Sequence, residues 1–475
     1  MATGSDPVAP SPPNETPAST TTSSGLGRQL LALAIPAAST SLLETLVFLA
    51  DRVMLGRYSR DALASMQVQG PVVWSLFSVF MALCVGGVSV VARNVGAERP
   101  ERAKAASRSV LRLACFSGVS VAVAGWLLTP QITAAIGPAS PTIQALCVSY
   151  LRAALLGFPG LFVATGASMV LGASGDTKTP LRAAVVSNVL NVGLNQLLIF
   201  GYEPFGVPSL GVRGAAIASS VAFSVQALLI SKSLLEVDCP VSGAGFWRVP
   251  EERDIAARRE IVRLSVPVVI ERVIFHLGFL AYASVISRLG PLVMASNQAL
   301  VTLESVCFLS AQGFGVATGA LVGQSMGRGD TQRARRAGFL GATLAAGFLS
   351  AFGVLIWLSA PLTLHVFTPA EGSSAGLIEE GLKAAPLLAL SQPFMAYAAV
   401  LSDALRGAGA TRLPVGVTLL GSIGVRLPLV IWLGVDLEWG TFGVWSASTV
   451  DWILRTLCCV ALFAGPWWTR ARVEA

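Results

Sequence analysis

With 53% of its 475 residues hydrophobic, only 12% charged and a mean hydropathy of +0.68, the chain cannot be a soluble globular protein, whose charged share is roughly a quarter. The net charge of +7 invites a nucleic-acid reading, but the basic residues fall almost entirely in alternate short loops, so the basicity is topological. Six of the seven cysteines lie in apolar runs and none has CxxC spacing, which excludes a disulfide framework and a zinc site alike.

Residues 1–25 are rich in Pro, Ser and Thr and lack a basic n-region and a bounded apolar core, so they read as a disordered cytoplasmic tail rather than a signal peptide. A spanning helix needs about 20 mostly apolar residues. Twelve such runs follow, at 30–56, 68–92, 107–129, 142–168, 181–201, 213–235, 262–287, 297–323, 338–360, 377–404, 414–434 and 442–464. Membrane strands would give alternating segments about half that length, and these are absent. The expected fold is an all-α integral membrane protein with twelve transmembrane helices in two pseudo-symmetric six-helix bundles.

Arg93, Arg99, Arg102, Lys104 and Arg108 follow the second run, Lys178 and Arg182 the fourth, and Arg248, Arg253, Arg258, Arg259 and Arg263 lie between the sixth and seventh. Arg328, Arg333, Arg335 and Arg336 follow the eighth run, and Arg406 and Arg412 the tenth. The opposite loops hold only Arg57, Arg60, Arg213 and Arg288 at their edges, so the positive-inside rule places both termini in the cytoplasm.

The chain is two copies of one unit. Pro36 is echoed by Pro267 and Arg57 by Arg288, each 231 residues later (267 − 36 and 288 − 57). At the same offset VARNVGAERPERAKAA (91–106) lies over VGQSMGRGDTQRARRA (322–337), with Gly96 on Gly327. Pro180 and Pro414, and Gly175 and Gly409, then match at 234. The expected organisation is an N-terminal lobe at 26–235, a Pro/Gly-containing cytoplasmic linker at 236–261, a C-terminal lobe at 262–465 and a tail at 466–475. Duplicated bundles of this kind are a transporter architecture that binds substrate between the halves. Gly315, Gly319 and Gly323 have the spacing that allows close helix approach in lipid.

An intramembrane carboxylate costs at least ~2.5–3.5 kcal/mol to insert, which marks it as a candidate functional group. The first run carries two, Glu44 and Asp51, seven residues apart and so on nearly one helix face. The fifth run carries Asn188, Asn191 and Asn195 at i, i+3 and i+7, a polar face that must point into the lobe. An aspartate beside amides can bind a proton or Na⁺. Glu304 is a further candidate in the second lobe, whereas Asp403 near Arg406 and Asp451 four residues before Arg455 have the spacing of local salt bridges. Four lysines outside any GxxxxGK frame and only two histidines exclude a phosphate-cradling loop and HExxH zinc chemistry, and GxSxG is also absent. Gradient-driven transport remains.

In LADRVMLG, VARNVGAERPERAKAA, GASGDTKTP leading into NVLNVGLNQLLIFG, GVRGAAIAS, VGQSMG, LRGAGATRLP and GVWSASTVDWILR, the chain resembles the multidrug and toxic compound extrusion (MATE) family over residues 28–465. The resemblance implies that Asp51 is the first-helix aspartate coupling H⁺ or Na⁺ to export, with Asn191 and Tyr150 at the same site. Asn195 stands where many prokaryotic members have a second aspartate, so the chain departs from that subgroup. Glu271, four residues after Pro267, stands near a glutamate of several bacterial members and is a second-lobe candidate for coupling or substrate binding.

The function implied is a secondary antiporter of the cytoplasmic (inner) membrane that exports small organic, amphiphilic or cationic compounds in exchange for H⁺ or Na⁺. It would need no cofactor and no nucleic acid, and would work as a monomer among membrane lipids. The alternatives are a flippase for a lipid-linked precursor, which needs several cationic residues at its cavity where this chain offers mainly Arg152, Arg426 and Arg455, and an intramembrane enzyme, whose motifs are missing.

Overall fold

The computed structural model describes residues 23–136, 140–202, 204, 206–236, 239–365 and 375–469, so most of the expected tails at 1–25 and 466–475 lies outside the described residues. The described chain is helical almost throughout, because inside a bilayer only a helix or a closed barrel satisfies every backbone group internally. In the first half the helices are α1 (Ser23–Tyr58), α2 (Arg60–Gly96), α3 (Pro100–Ile136), α4 (Pro141–Leu156), α5 (Phe158–Ser174), α6 (Lys178–Phe200) and α7 (Gly211–Leu235). In the second half they are α8 (Glu252–Ile286), α9 (Pro291–Gly327), α10 (Thr331–His365), α11 (Ala375–Gly407), α12 (Arg412–Leu419), α13 (Leu427–Leu429) and α14 (Gly440–Ala464).

Two of these elements depart from simple rods. The run expected at 142–168 is a pair, α4 and α5, bent by 49° at Gly157, and counting that pair as one span gives twelve. Gly157 sits where a Cβ would strike Ser220 of α7, so the bend lets α7 press into its angle. The eleventh span, Arg412–Asp436, is continuous but changes winding: Leu420–Arg426 and Val430–Asp436 are π-helical, separated by α13. Such turns carry one residue more than an α turn and rotate everything beyond them.

Helix ends follow local chemistry. Ser59 caps α2 by accepting from the Ala62 amide at 3.0 Å. Gly175 and Gly409 terminate α5 and α11 at φ of 102° and 89°, which explains why the repeat keeps glycine at both places. The repeated prolines Pro36 and Pro267 both lie inside helices, where each removes a hydrogen bond from the ladder.

Buried residues form two cores, and α1 and α8 each contribute to both. Leu26, Leu30 and Ala34 at the start of α1 pack with α9, α10 and α11, whereas Leu55 at its end packs with the N-terminal helices. Conversely Ala257 and Ile261 of α8 join the N-terminal core, and Tyr282, Val285 and Ile286 join the C-terminal one. The repeat boundaries therefore do not coincide with the core boundaries. The segment before α8 also packs down: Val241 is buried and Gly243 faces Leu111 of α3. Just inside α8, Asp254 is gripped by Arg108 at 2.7 Å and Arg112 at 2.8 Å. At the other end of the chain Trp468 folds back and is buried, stacking on Phe463 at 4.7 Å, whereas Pro466 and Trp467 before it are exposed.

The small-residue stripe of α9 works as its spacing suggests. A Cβ at Gly315 or Gly319 would collide with Asp403 of α11, and one at Gly323 with Ala92 of α2 and Gly407 of α11. Burial along α2 and α9 is graded. Residues 89–94 and 317–325, near the end that carries the basic loops, are buried throughout, while residues 74–77 and 301–306 are half-buried or exposed. The lobes are thus shut against each other at the basic end, and the cleft between them widens toward the other end. Leu127, Leu228, Leu280 and Leu362 are among the large apolar side chains on the outer surface, where lipid would cover them.

Candidate coupling sites

Asp51 projects from the second half of α1 into the N-terminal core and is only 1% exposed. Its Oδ1 accepts from Asn195 Nδ2 at 2.6 Å, and its Oδ2 accepts from the Ser219 hydroxyl at 3.0 Å. Asn195 Nδ2 also donates to Asn191 Oδ1 at 3.0 Å, and Asn191 Nδ2 donates to Ser219 Oγ at 3.0 Å, which closes a four-residue ring across α1, α6 and α7. All the donors to the carboxylate are neutral. Among the described residues no Lys, Arg or His pairs with Asp51. Asn195 Oδ1 is buried without a hydrogen-bond partner, so a second acceptor stands unfilled beside the carboxylate.

The other sequence candidates divide around this ring. Tyr150 of α4 is buried close enough to feel the Asp51 charge, but its hydroxyl bonds none of the four. Asn188 is half-buried and donates to Ala184 of its own helix at 2.8 Å. It shares a face with Asn195, but seven residues of α-helix put it about 10 Å lower along the axis, beyond reach of Asp51. Glu44, two turns before Asp51, is half-buried and outside the ring. Ser219 escaped the sequence reading although it ends the quoted GVRGAAIAS; a small hydroxyl on an apolar helix gives no signal until a partner is known.

In the second lobe Glu271 is fully engaged. Arg406 Nη2 donates to both its oxygens at 2.7 and 2.9 Å, and the Thr418 hydroxyl donates at 2.7 Å. Arg406 also pairs with Asp403 at 2.6 Å, as the three-residue spacing suggests. Nearer the far end lies a second buried cluster. Arg455 bonds Asp451 through Nε at 2.6 Å and Nη2 at 2.9 Å, and Arg426 approaches Asp451 at 2.8 Å. Both guanidiniums lie over the Trp452 ring, and Glu304 sits close by with its Oε1 buried and unpartnered.

A profile of the MatE family matches residues 36–197 and 267–432, one segment in each repeat. The chain belongs to the MatE family. Among curated relatives, a "Probable multidrug resistance protein NorM" of Thermotoga maritima is 29% identical over 448 residues, covering 94% of each chain. The "Probable multidrug resistance protein YoeA" of Bacillus subtilis is 24% identical over 445 residues, covering 93% of this MatE protein and 94% of its own length. A structure solved as "Outward-facing conformation of a multidrug resistance MATE family transporter of the MOP superfamily" superposes with a TM-score of 0.84 at 20% identity, covering 92% of this chain and 95% of that one. "Crystal structure of eukaryotic MATE transporter AtDTX14" gives 0.81 at 16% identity, covering 94% and 97%. At those identities the solved structures speak for the fold, and they bear out the all-α two-lobe architecture. The MatE protein is a multi-pass membrane protein and a secondary active transporter of the MATE type, not an enzyme.

Proposed function

We propose that this MatE protein is an antiporter that exports small amphiphilic or cationic organic compounds across the cytoplasmic membrane in exchange for H⁺ or Na⁺, with the Asp51 ring as the coupling site. The observation that carries this reading is the missing counter-charge. Glu271, Asp451 and Asp254 all have guanidinium partners, whereas Asp51, equally buried, is held among the described residues by one amide and one hydroxyl. Neutral donors alone do not offset the cost of burying a charge. A proton on the carboxylate, or a small cation between Asp51 and the unfilled Asn195 oxygen, supplies what is missing, and each can leave again.

The grading of burial along α2 and α9 supports alternating access by movement of the two lobes, and the loop arginines support termini in the cytoplasm with the basic end inward. The relatives' description as multidrug resistance proteins supports drug-like cargo. Glu271 is better read as structural than as a second coupling group, because its oxygens already have donors.

The test is efflux from proteoliposomes under separately imposed pH and Na⁺ gradients. Wild type exports a fluorescent cation down at least one gradient, and Asp51→Asn, inserted and monodisperse, does not. Equal export by wild type and Asp51→Asn would remove the coupling role from this site.

A further inference from the structure

On the outer face of the N-terminal lobe, α3, α4 and α7 enclose a groove of about 990 Å³. Val148, Arg152 and Leu156 form one stripe of α4 along it, while Cys147, Tyr150 and Leu151 on the opposite side are buried in the lobe. Leu156 and Leu228, which also line the groove, are among the most exposed apolar side chains of the lobe, so the groove opens toward lipid. Arg152 therefore adds no cation to a cavity between the lobes, contrary to the place it would need in a flippase. The α4–α5 pair and α7 run side by side toward the basic end. Gly157 faces Ser220, Gly160 faces Ser224, and the Ser220 hydroxyl donates to the Ala153 carbonyl at 3.1 Å. Arg152 stands five residues above Gly157 and Arg213 seven above Ser220, about 8 and 10 Å toward the end remote from the basic loops. Two arginines thus share one level at the mouth of the groove, where α7 begins.

Neither arginine has an acidic partner among the described residues. Arg152 lies over the Trp126 ring at 4.7 Å and its Nε is buried without an acceptor, whereas Arg213 is exposed. Cations on a lipid-facing surface call for an anion, and an indole beside them suits the level of the headgroups. The repeat shows that the fold does not require them. At the offset of the prolines Pro159 and Pro393, Arg152 falls on Pro386 (386 − 152 = 234). Gly214 and Gly443, which pack on the Leu198 and Leu433 carbonyls, are 229 apart, and at that offset Arg213 falls on Phe442 (442 − 213). Below the two arginines the groove turns apolar, along Val221, Val225 and Leu228. From Arg213 to Leu228 is fifteen residues, ~22 Å of helix, which exceeds the ~15 Å that one leaflet contributes to the hydrocarbon core.

We infer that this groove binds one anionic phospholipid of the leaflet remote from the basic loops, with its phosphate between Arg152 and Arg213 and an acyl chain along Val221 and Leu228 of α7. Guanidinium forks match phosphate oxygens, and the apolar length below them matches a chain rather than a free anion. The occupant bridges α4 and α7 just above the Gly157 bend, where only the Ser220 hydroxyl otherwise ties the two helices by a hydrogen bond among the described residues. The site lies outside the Asp51 ring and does not depend on the export or coupling readings.

The experiment titrates the delipidated full-length protein in detergent with dioleoylphosphatidylglycerol and, separately, with dioleoylphosphatidylcholine, reading bound lipid by native mass spectrometry and Tm in parallel. Wild type binds one phosphatidylglycerol about tenfold or more tightly than phosphatidylcholine, and Arg152→Gln/Arg213→Gln abolishes that preference. Arg288→Gln removes a cation at the same end but outside the groove, and leaves the preference intact. Val221→Trp keeps both arginines and fills the space beneath them, so it too loses the tight phosphatidylglycerol; it carries the test alone if the double variant does not fold. A preference retained in the double variant or in Val221→Trp, or lost equally in Arg288→Gln, overturns the site. A Tm rise reproduced by inorganic phosphate alone would show a free-anion site and overturn the lipid assignment.

Discussion

Gln324 of α9 donates to the Ala173 carbonyl at 2.9 Å, and its repeat partner Arg93 of α2 lies against Gly409 at the equivalent turn of the other lobe. The two residues are 231 positions apart, and each crosses from its own helix to the loop that ends the partner lobe's α5 or α11. Between them Gly96 faces the Gln324 backbone and Gly327 faces the Arg93 carbonyl, so the seal at the basic end is two copies of one contact around a pseudo-twofold axis. Ser89 adds a hydrogen bond to the Gly407 carbonyl at 3.2 Å.

A methyl group has no room at this seal. Gly96→Ala and Gly327→Ala each insert a Cβ into the opposing backbone, and overpacking of this sort costs roughly 1–3 kcal/mol. That shifts the ratio of closed to open forms at the basic end by roughly 5- to 150-fold. The expected result is faster maleimide labelling of a Ser89→Cys reporter in either alanine variant, at unchanged protein yield. No change in labelling would show that the lobes do not separate here.

The asparagines of α6 should not behave alike. Asn195→Ala removes a donor to the Asp51 carboxylate together with the unfilled amide oxygen beside it, and is expected to change apparent affinity for the driving ion by about 10- to 100-fold, weakening Na⁺, which loses an oxygen ligand, and strengthening H⁺, which no longer competes with that donor. Asn188→Ala removes only a bond to its own helix and leaves transport within about twofold. Titration of efflux rate against the driving ion separates them, and a larger effect at Asn188 would contradict the ring.

Glu271 and Arg406 form a buried pair whose partners depend on each other. Arg406→Gln leaves two carboxylates near one another without their guanidinium, and breaking a buried pair costs about 3–5 kcal/mol. Glu271→Gln is expected to be milder, because Asp403 remains to hold Arg406. The double variant Glu271→Gln/Arg406→Gln should recover much of the stability lost in Arg406→Gln. Thermal denaturation in detergent gives the cycle, and strict additivity would mean that the pair is not coupled.

Asp254 fastens the start of α8 to α3 through Arg108 and Arg112. Asp254→Asn keeps the shape and removes the charge between two guanidiniums. It is expected to lower Tm and to expose the 239–251 segment to protease, with insertion of the remaining helices unaffected. A protease pattern identical to wild type would show that Gly243, Val241 and their apolar contacts hold the segment without the ion pairs.

Membrane insertion, the number of spans, the duplication and the Asp51 candidate were legible in the sequence, because each rests on a one-dimensional quantity: run length, loop charge, offset, or the cost of an acid in hydrocarbon. Glycine at 315, 319 and 323 was legible for the same reason, since the helix period alone puts those three on one face. Which carboxylate is unpaired was not. Asp51 and Glu271 look alike along the chain, and only the packing shows that Arg406, 135 residues away, reaches Glu271 while no cation among the described residues pairs with Asp51. Asn188 and Asn195 likewise share a face but differ in depth, which periodicity does not encode. The exchange of α1 and α8 between the two cores, and the π winding of Leu420–Arg426 and Val430–Asp436, depend on how whole helices cross one another. Those crossings are fixed by contacts summed over both lobes, and no local pattern carries them.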